Sequence, residues 1–574
     1  QFELVERGEK GYDVFVDVLR NSGYTLARIH SMWGIAQLAR NGDKEKAKIF
    51  INFLKDKDLE ICAQAAKMLG DVKYKPAVPI LIAALKNLDP RVQMFCAEAL
   101  GRIEEPNAVI PILQMLEKDE GKDTWLRAAG MIALGRIGRA SPLFALVDSD
   151  SKSQRTIAVV ALRKMGNPVI AEFLNDPDEY IVTEAARGIN DDFSIEEALP
   201  ALANVLKETR FTSEALLRRA INANIRVGES ENITLLIEFI KRKSAPSDMR
   251  AEAIEALSTW AKPSVFDRVD GRYRGVIERD GSAVKSIFSE NVNTLLQEDD
   301  YAIQYATVNA IARMGIKEKS PELLTLIGVS KNPKVRSAVL VAMNKLSANE
   351  LEAALEIGLK DKENTVRSKA LEILPDSKIE EGKAVLLFGK IINNGSVEEQ
   401  QAAFTALQKF KSKAAYDLME KYLDELIKGT LKPELSLDVL VAVEKNGDAK
   451  LLEKLKIYHD SKPMTDPLSL FQETLAGGNE EKGQFVFYNN EAAQCTKCHA
   501  IFEYGGNAGP GLEDLGKRLT KKQILASLIT PSSEYAIGYE VVSLTLKDGT
   551  NEAGIVMERT KEHVKLKLGK EDIR

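Results

Sequence analysis

The sequence predicts a mainly α-helical protein: a long array of stacked helix pairs, then a small domain that ends in a β-meander. Three observations predict this. Apolar residues recur at i, i+3, i+4 and i+7 from residue 31 to about residue 446, the period of a helix with one buried face. Strand-like alternation is confined to residues beyond 540. The 574 residues exceed what one hydrophobic core can serve, so an array or several domains are required. Composition agrees: 44% of residues are hydrophobic and 29% charged, but only 6% are aromatic, which suits repeats of small helices better than a sandwich or barrel. Lys plus Arg total 79 against 85 for Asp plus Glu, a net charge of -6. That balance lacks the basic footprint a nucleic-acid partner demands. No apolar run is long enough to span a bilayer.

The repeats come first, over residues 1–458. Each clear copy opens on a polar turn and runs into a helix carrying small residues. Asp89-Pro90-Arg91-Val92 leads to Ala97, Ala99, Leu100 and Gly101, and Asp123-Thr124-Trp125-Leu126 leads to Ala129, Ala133, Leu134 and Gly135. Later copies start at Asn332-Pro333 and at Glu363-Asn364. Amphipathic partners such as Ala77 to Leu85 lie between them. Aligning Leu69, Leu100, Leu134 and Leu162 gives spacings of 31, 34 and 28 residues. The pattern resembles HEAT repeats, at the short end of their period. Small residues let paired helices approach, and the Asp or Asn before each helix accepts from its free N–H groups. No repeat buries enough surface alone, so stability is expected from stacking into an α-solenoid that offers surfaces to other proteins.

One interval breaks the rhythm: Ala256 to Ala310 spans 54 residues and holds the polar stretch Trp260 to Arg274. An insertion is expected over 262–295. It reads as an internal salt-bridged loop capping a break in the stack, with a docking site as the rival. Residues 459–478 read as a linker, because Lys462-Pro463, Asp466-Pro467 and Gly477-Gly478 interrupt any helix.

The chemistry gathers in the last domain, 479–574. Cys495-Thr496-Lys497-Cys498-His499 is the strongest signal in the chain. Two thiols at this spacing can add to the two vinyl groups of one haem, with the adjacent histidine presented to the iron. A structural zinc site would want a second cysteine pair. A thioredoxin-like redox pair would want a strand–helix–strand setting. The sequence shows neither. Cys62 and Cys96 sit on repeat helices and read as small buried cysteines, a disulfide between neighbouring repeats being the alternative. His30 and His459 have no companions that suggest catalysis, and no independent catalytic site is legible.

The flanks sharpen this reading. Gly483 to Phe487 reads as a helix with aromatics. Gly505 to Leu512 contains Gly509-Pro510-Gly511-Leu512, and Thr520 with Gln523 forms a capping box at the start of a helix that ends at Pro531. Together these resemble a class I cytochrome c. The resemblance implies that the Pro510 carbonyl orients His499 and that Leu512 packs on the porphyrin of a covalently attached haem c. A usual cytochrome c supplies a methionine after that last helix, but Tyr535 to Glu540 occupies the place. The chain instead enters strands at Glu540 to Lys547, Thr550 to Glu558 and Val564 to Leu568. Met557 shares a strand face with Ile555; it reaches the iron as sixth ligand or packs as core, and an open iron is the third option. His563 lies at a turn and reads as solvated.

The order of parts (helical repeats, the Asp267-Arg268-Val269-Asp270-Gly271 insertion, the Cys-x-x-Cys-His motif, Gly509-Pro510, Gly538-Tyr539-Glu540, Lys547-Asp548-Gly549, Gly554-Ile555-Val556) resembles one bacterial family. It is that of the membrane-bound dehydrogenases with a haem-binding C-terminal domain, found in Planctomycetes, Verrucomicrobia and Bacteroidetes. What the resemblance implies is an exported electron-transfer protein, periplasmic or on the cell surface. Its mono-haem cytochrome would accept electrons from a dehydrogenase or propeller domain, and membrane association would come only through an N-terminal anchor outside this sequence. A leader is expected before Gln1, because covalent haem attachment happens outside the bacterial cytoplasm. Two rivals remain at this level: a protein-interaction scaffold with a structural or sensory haem, and a haem peroxidase with an open iron.

Overall fold

A computed structural model describes residues 1–567 except 88, 120–121, 464, 491, 503, 507–508, 532–538, 548 and 561. The chain divides into two compact units, Gln1–Glu322 and Leu323–Arg574.

The first unit is a stack of helix pairs. Its better-formed helices include Leu59–Val72, Pro90–Ile103, Thr124–Ile137, Lys152–Met165 and Glu179–Asn190. The polar residue before each helix does what its chemistry predicts: Asp89 accepts from Val92 N–H at 3.0 Å, and Asp123 from Trp125 and Leu126 N–H, both at 2.9 Å. The small residues set how closely neighbours stack. A Cβ on Gly70 would lie 2.6 Å from Ala99 Cα, and one on Gly101 2.6 Å from Ala133 Cα. The core is therefore built of alanine, leucine and isoleucine packed backbone to backbone.

A second regularity joins the repeats. Arg28, Arg155 and Arg250 are each the fourth residue of a helix, Thr25–Arg40, Lys152–Met165 and Ser247–Ser258. Each guanidinium donates to a backbone carbonyl ahead of its helix: Leu19 at 3.1 Å, Ser149 at 2.6 Å and Ile240 at 2.5 Å. Each also pairs with an acid beyond its helix, Asp56, Asp176 or Glu298. These buried arginines fasten one repeat to the next.

The insertion is the internal salt-bridged loop. Phe266 and Tyr273 form one antiparallel bridge. The fully buried Asp267 carboxylate accepts from Asn222 Nδ2 and Arg274 Nε, both at 3.0 Å, and from Val269 N–H at 2.8 Å. Burial pushes this carboxyl up, but those hydrogen bonds and the Arg274 charge outweigh it and hold it below the usual range. Arg279 stacks 4.0 Å from the Trp260 ring and donates to Trp260 O and Ile225 O. The expected bounds need correction. Ser282–Leu296 is a regular helix packed on Tyr301–Met314, so the insertion ends near residue 281, not 295. The polar lead-in hid the apolar face of Val284, Phe288, Val292 and Leu295.

The second unit continues the helix pairs through Ala449–Asp460, with Arg336, again fourth in its helix, donating to Ser330 O at 2.9 Å and paired with Asp361 at 2.6 Å. Within the expected linker 459–478, residues 467–475 form a packed element, which corrects the reading of that part as linker. Pro467–Leu475 forms a 3₁₀ run that contacts the helices Ser436–Asn446 and Lys521–Ile529. Lys462 Nζ meets Glu473 Oε2 at 2.7 Å in a buried pair that also takes the Tyr458 hydroxyl. Prolines at 463 and 467 forbid an α-helix but not this compact packing. Short strands also occur earlier than expected: Ala500–Ile501 pairs with Tyr504–Gly505, ahead of residue 540. The C-terminal meander follows the expected order, with Val541–Thr545, Asn551–Arg559 and Val564–Lys567 antiparallel in sequence order.

Candidate cofactor-attachment site

The helix Glu480–Asn489 delivers the chain to the motif, capped by Asn479, whose side chain accepts from Lys482 N–H at 2.8 Å. Gln494 takes a left-handed conformation (φ 47°) and starts a tight turn at Cys495–Lys497. Within that turn Cys498 N–H and His499 N–H both donate to the Cys495 carbonyl, at 3.2 and 2.9 Å. The two thiols and the imidazole are thus held on one turn of backbone, both thiols free, Cys495 half-buried and Cys498 exposed.

His499 is fixed by contacts on its ring. Its Nδ1 lies 2.9 Å from the Pro510 carbonyl oxygen. A carbonyl only accepts, so Nδ1 carries the proton and the Nε2 lone pair is left for a metal. Gly509 lies against the ring: a Cβ there would stand 2.7 Å from Cε1 and 2.9 Å from Nδ1. Two backbone bonds hold the covering loop, Gly509 N–H to Cys498 O at 2.7 Å and Leu512 N–H to Ala500 O at 2.9 Å. Arg518 also donates to this loop, to Gly511 O at 2.8 Å and Glu513 O at 3.0 Å. The structure thus brings Cys495, Cys498 and His499 onto one turn with the Pro510 carbonyl against the imidazole. Leu512, half-buried, is on the loop that covers them.

The surroundings fit a large apolar cofactor. Among the described residues from 479 to 567, the buried apolar side chains are Leu525, Val556 and Leu566. Phe485, Phe502 and Tyr504 are 66%, 83% and 69% exposed, although they lie on or beside the elements that carry the motif. Two thiols, an imidazole with a free Nε2 and adjacent exposed aromatics are the donor set and lining that haem c takes. Among the described residues no three His, Cys, Asp or Glu gather into a metal cage.

Met557 lies on the strand Asn551–Arg559. It falls at a bulge between Val556 and Glu558, and its side chain is 37% exposed, which corrects the reading of Met557 as core. The buried face of that strand carries Gly554 and Val556 instead. Of the Tyr535 to Glu540 run, residues 535–538 lie outside the described residues, as do Asn507 and Ala508 in the covering loop. His563 is exposed and hydrogen-bonds to Thr560, in keeping with a solvated turn histidine. Cys62 and Cys96 are free and buried, not disulfide-bonded. Burial pushes the Cys96 thiol up to about 12 and raises that of Cys62 as well. Sequence reasoning missed Glu513 and Arg518, whose partners are backbone groups that no residue pattern marks.

Comparison with known proteins finds the repeats. The HEAT-repeat family matches residues 47–125, 78–163 and 289–375. No curated protein matches the chain. Among solved structures, the CpcE–CpcF complex of phycocyanin lyase from Nostoc is 23% identical, over 37% of this chain and 86% of that one, with a TM-score of 0.22. A Kap121p mutant is 12% identical over 77% of this chain, which spans 49% of its length, with a TM-score of 0.41. Yeast importin-β (Kap95p) is 13% identical, over 84% and 70% of the two chains, with a TM-score of 0.34.

Proposed function

We propose that the chain is an exported mono-haem c-type cytochrome carried on a HEAT-repeat scaffold, which passes electrons from a periplasmic or cell-surface dehydrogenase to a downstream acceptor. The observation that carries the reading is His499, with Nδ1 committed to the Pro510 carbonyl and Nε2 left free, one turn from two free thiols. Attachment balances as two thiol S–H additions across two vinyl groups, which consumes no oxidant. Haem c bound there supplies a one-electron iron couple. The residues of the chain fix the imidazole plane through the Pro510 carbonyl and cover the site with the 509–513 loop. HEAT repeats suit protein partners, so the helix pairs would hold donor and cytochrome in register. The order of parts supports membership in the dehydrogenase-associated family with a haem-binding C-terminal domain.

An absorption spectrum of the oxidised and dithionite-reduced protein, produced by export with the c-type maturation machinery, tests the reading. A c-type spectrum is expected; its absence overturns the proposal. Carbon monoxide then separates the roles. An unchanged reduced spectrum means two firm protein ligands and electron transfer, and Met557→Ala becomes the test of the sixth. Ready binding moves ligand sensing or peroxide chemistry ahead.

A further inference from the structure

We infer that Glu513 is a positioning residue for the iron-ligating histidine, acting through the loop that bears Pro510; this rests on the haem reading of Cys495, Cys498 and His499. The segments 498–502 and 509–513 run side by side, joined by Gly509 N–H to Cys498 O and Leu512 N–H to Ala500 O. Pro510 has no N–H to add to this ladder. The next tie comes from a side chain: the Glu513 carboxylate accepts from the Phe502 backbone N–H.

Two features show that this tie is built in. Phe502 is held at φ 49°, a left-handed conformation unfavourable for an aromatic residue, while its side chain is largely exposed. Few side-chain contacts remain to hold that backbone, and the Glu513 bond falls on the very amide concerned. Gly511 supplies the room: a Cβ there would stand 2.6 Å from Glu513 Oε2, so the carboxylate folds back over a bare backbone. Arg518 adds two further ties to the same loop, donating to Gly511 O and Glu513 O, the residues that follow Pro510. Glu513 thereby sets how firmly the Pro510 carbonyl holds His499 Nδ1, and so how strongly Nε2 donates.

The experiment compares the full haem-loaded chain with Glu513→Gln, Glu513→Ala and Gly511→Ala by redox titration and by hydrogen exchange over residues 498–513. A glutamine oxygen still accepts from Phe502, so Glu513→Gln is expected to keep both properties. Glu513→Ala and Gly511→Ala are expected to speed exchange and to raise the midpoint potential, because a looser imidazole stabilises the ferric state less. The oxidised-to-reduced ratio at the parent midpoint should change roughly threefold to tenfold. An unchanged potential in Glu513→Ala, with or without faster exchange, overturns the positioning role and leaves the haem reading intact. A parent chain that takes up no haem overturns both.

Discussion

The hydrogen missing from Gly509 is as much a part of the site as the imidazole it faces. A methyl group at 2.7 Å from His499 Cε1 would force the ring or the loop to move. Gly509→Ala is therefore expected to lower the yield of haem-loaded protein severalfold and to shift its Soret band, both read from the spectrum of matched preparations. A different single residue governs pH response. Asp438, half-buried on Ser436–Asn446, is raised to about 6 by burial, against the lowering effects of Gln401 and the Lys482 charge. A carboxyl with a raised folded pKa contributes stability at low pH, which is lost as the pH climbs from about 4 through 6. Asp438→Asn should remove that slope. The variant and parent should have similar stability near pH 4, and the variant should be more stable at pH 7 by on the order of 1–2 kcal/mol. Thermal melts at the two pH values check this; a parent-like slope in the variant refutes it. At this scale the sequence was legible where chemistry is local. Cys495, Cys498 and His499 sit within five residues and their spacing predicts their meeting, whereas the place of Pro510 followed from the resemblance to a class I cytochrome c. Met557 was not legible, because a one-residue bulge between Val556 and Glu558 defeats simple alternation.

The clearest repeat helices, such as Pro90–Ile103 and Thr124–Ile137, were legible because they declare themselves twice, by an apolar period and by a polar cap. What fastens one helix pair to the next was not. Arg28, Arg155, Arg250 and Arg336 hold the same place in their helices, yet their acids lie 28, 21, 48 and 25 residues onward. No fixed spacing exposes such a pair, since the chain between is of variable length. Removing one partner strands a buried charge, so Arg336→Ala should cost about 3–5 kcal/mol in denaturant unfolding, whereas exposed pairs such as Lys413–Asp417 should cost under about 1 kcal/mol. Glycine at the helix contacts obeys the same logic of opposed magnitudes. Gly101→Ala would gain about 1 kcal/mol of helix propensity. Its Cβ would meet Ala133 backbone at 2.6 Å, and overpacking of about 1–3 kcal/mol is expected to win. A melting temperature above the parent's would show that the stack yields more easily than its spacing implies. The 467–475 element was misread for a related reason: prolines and glycines announce an interrupted helix, but the buried Lys462–Glu473 pair that orders the segment spans eleven residues of unpatterned sequence.

Across the whole chain, the four cysteine sulfurs divide into two chemically separate populations. Cys62 and Cys96 lie inside the repeats as free thiols, the latter protonated up to about pH 12, whereas Cys495 and Cys498 reach the surface on one turn. The nucleophile in thiol chemistry is the thiolate, so oxidants and alkylating reagents act on the second population and spare the first. Maleimide titration should thus read the state of the chain directly. Without haem, two sulfurs are expected to react in buffer and all four in denaturant. With haem in thioether linkage the expected values are none and two. Any other pair of values would contradict either the attachment or the burial. The protein carries its own internal standard: the interior pair, unaffected by maturation, calibrates the assay by which completion of the exterior pair can be followed molecule by molecule.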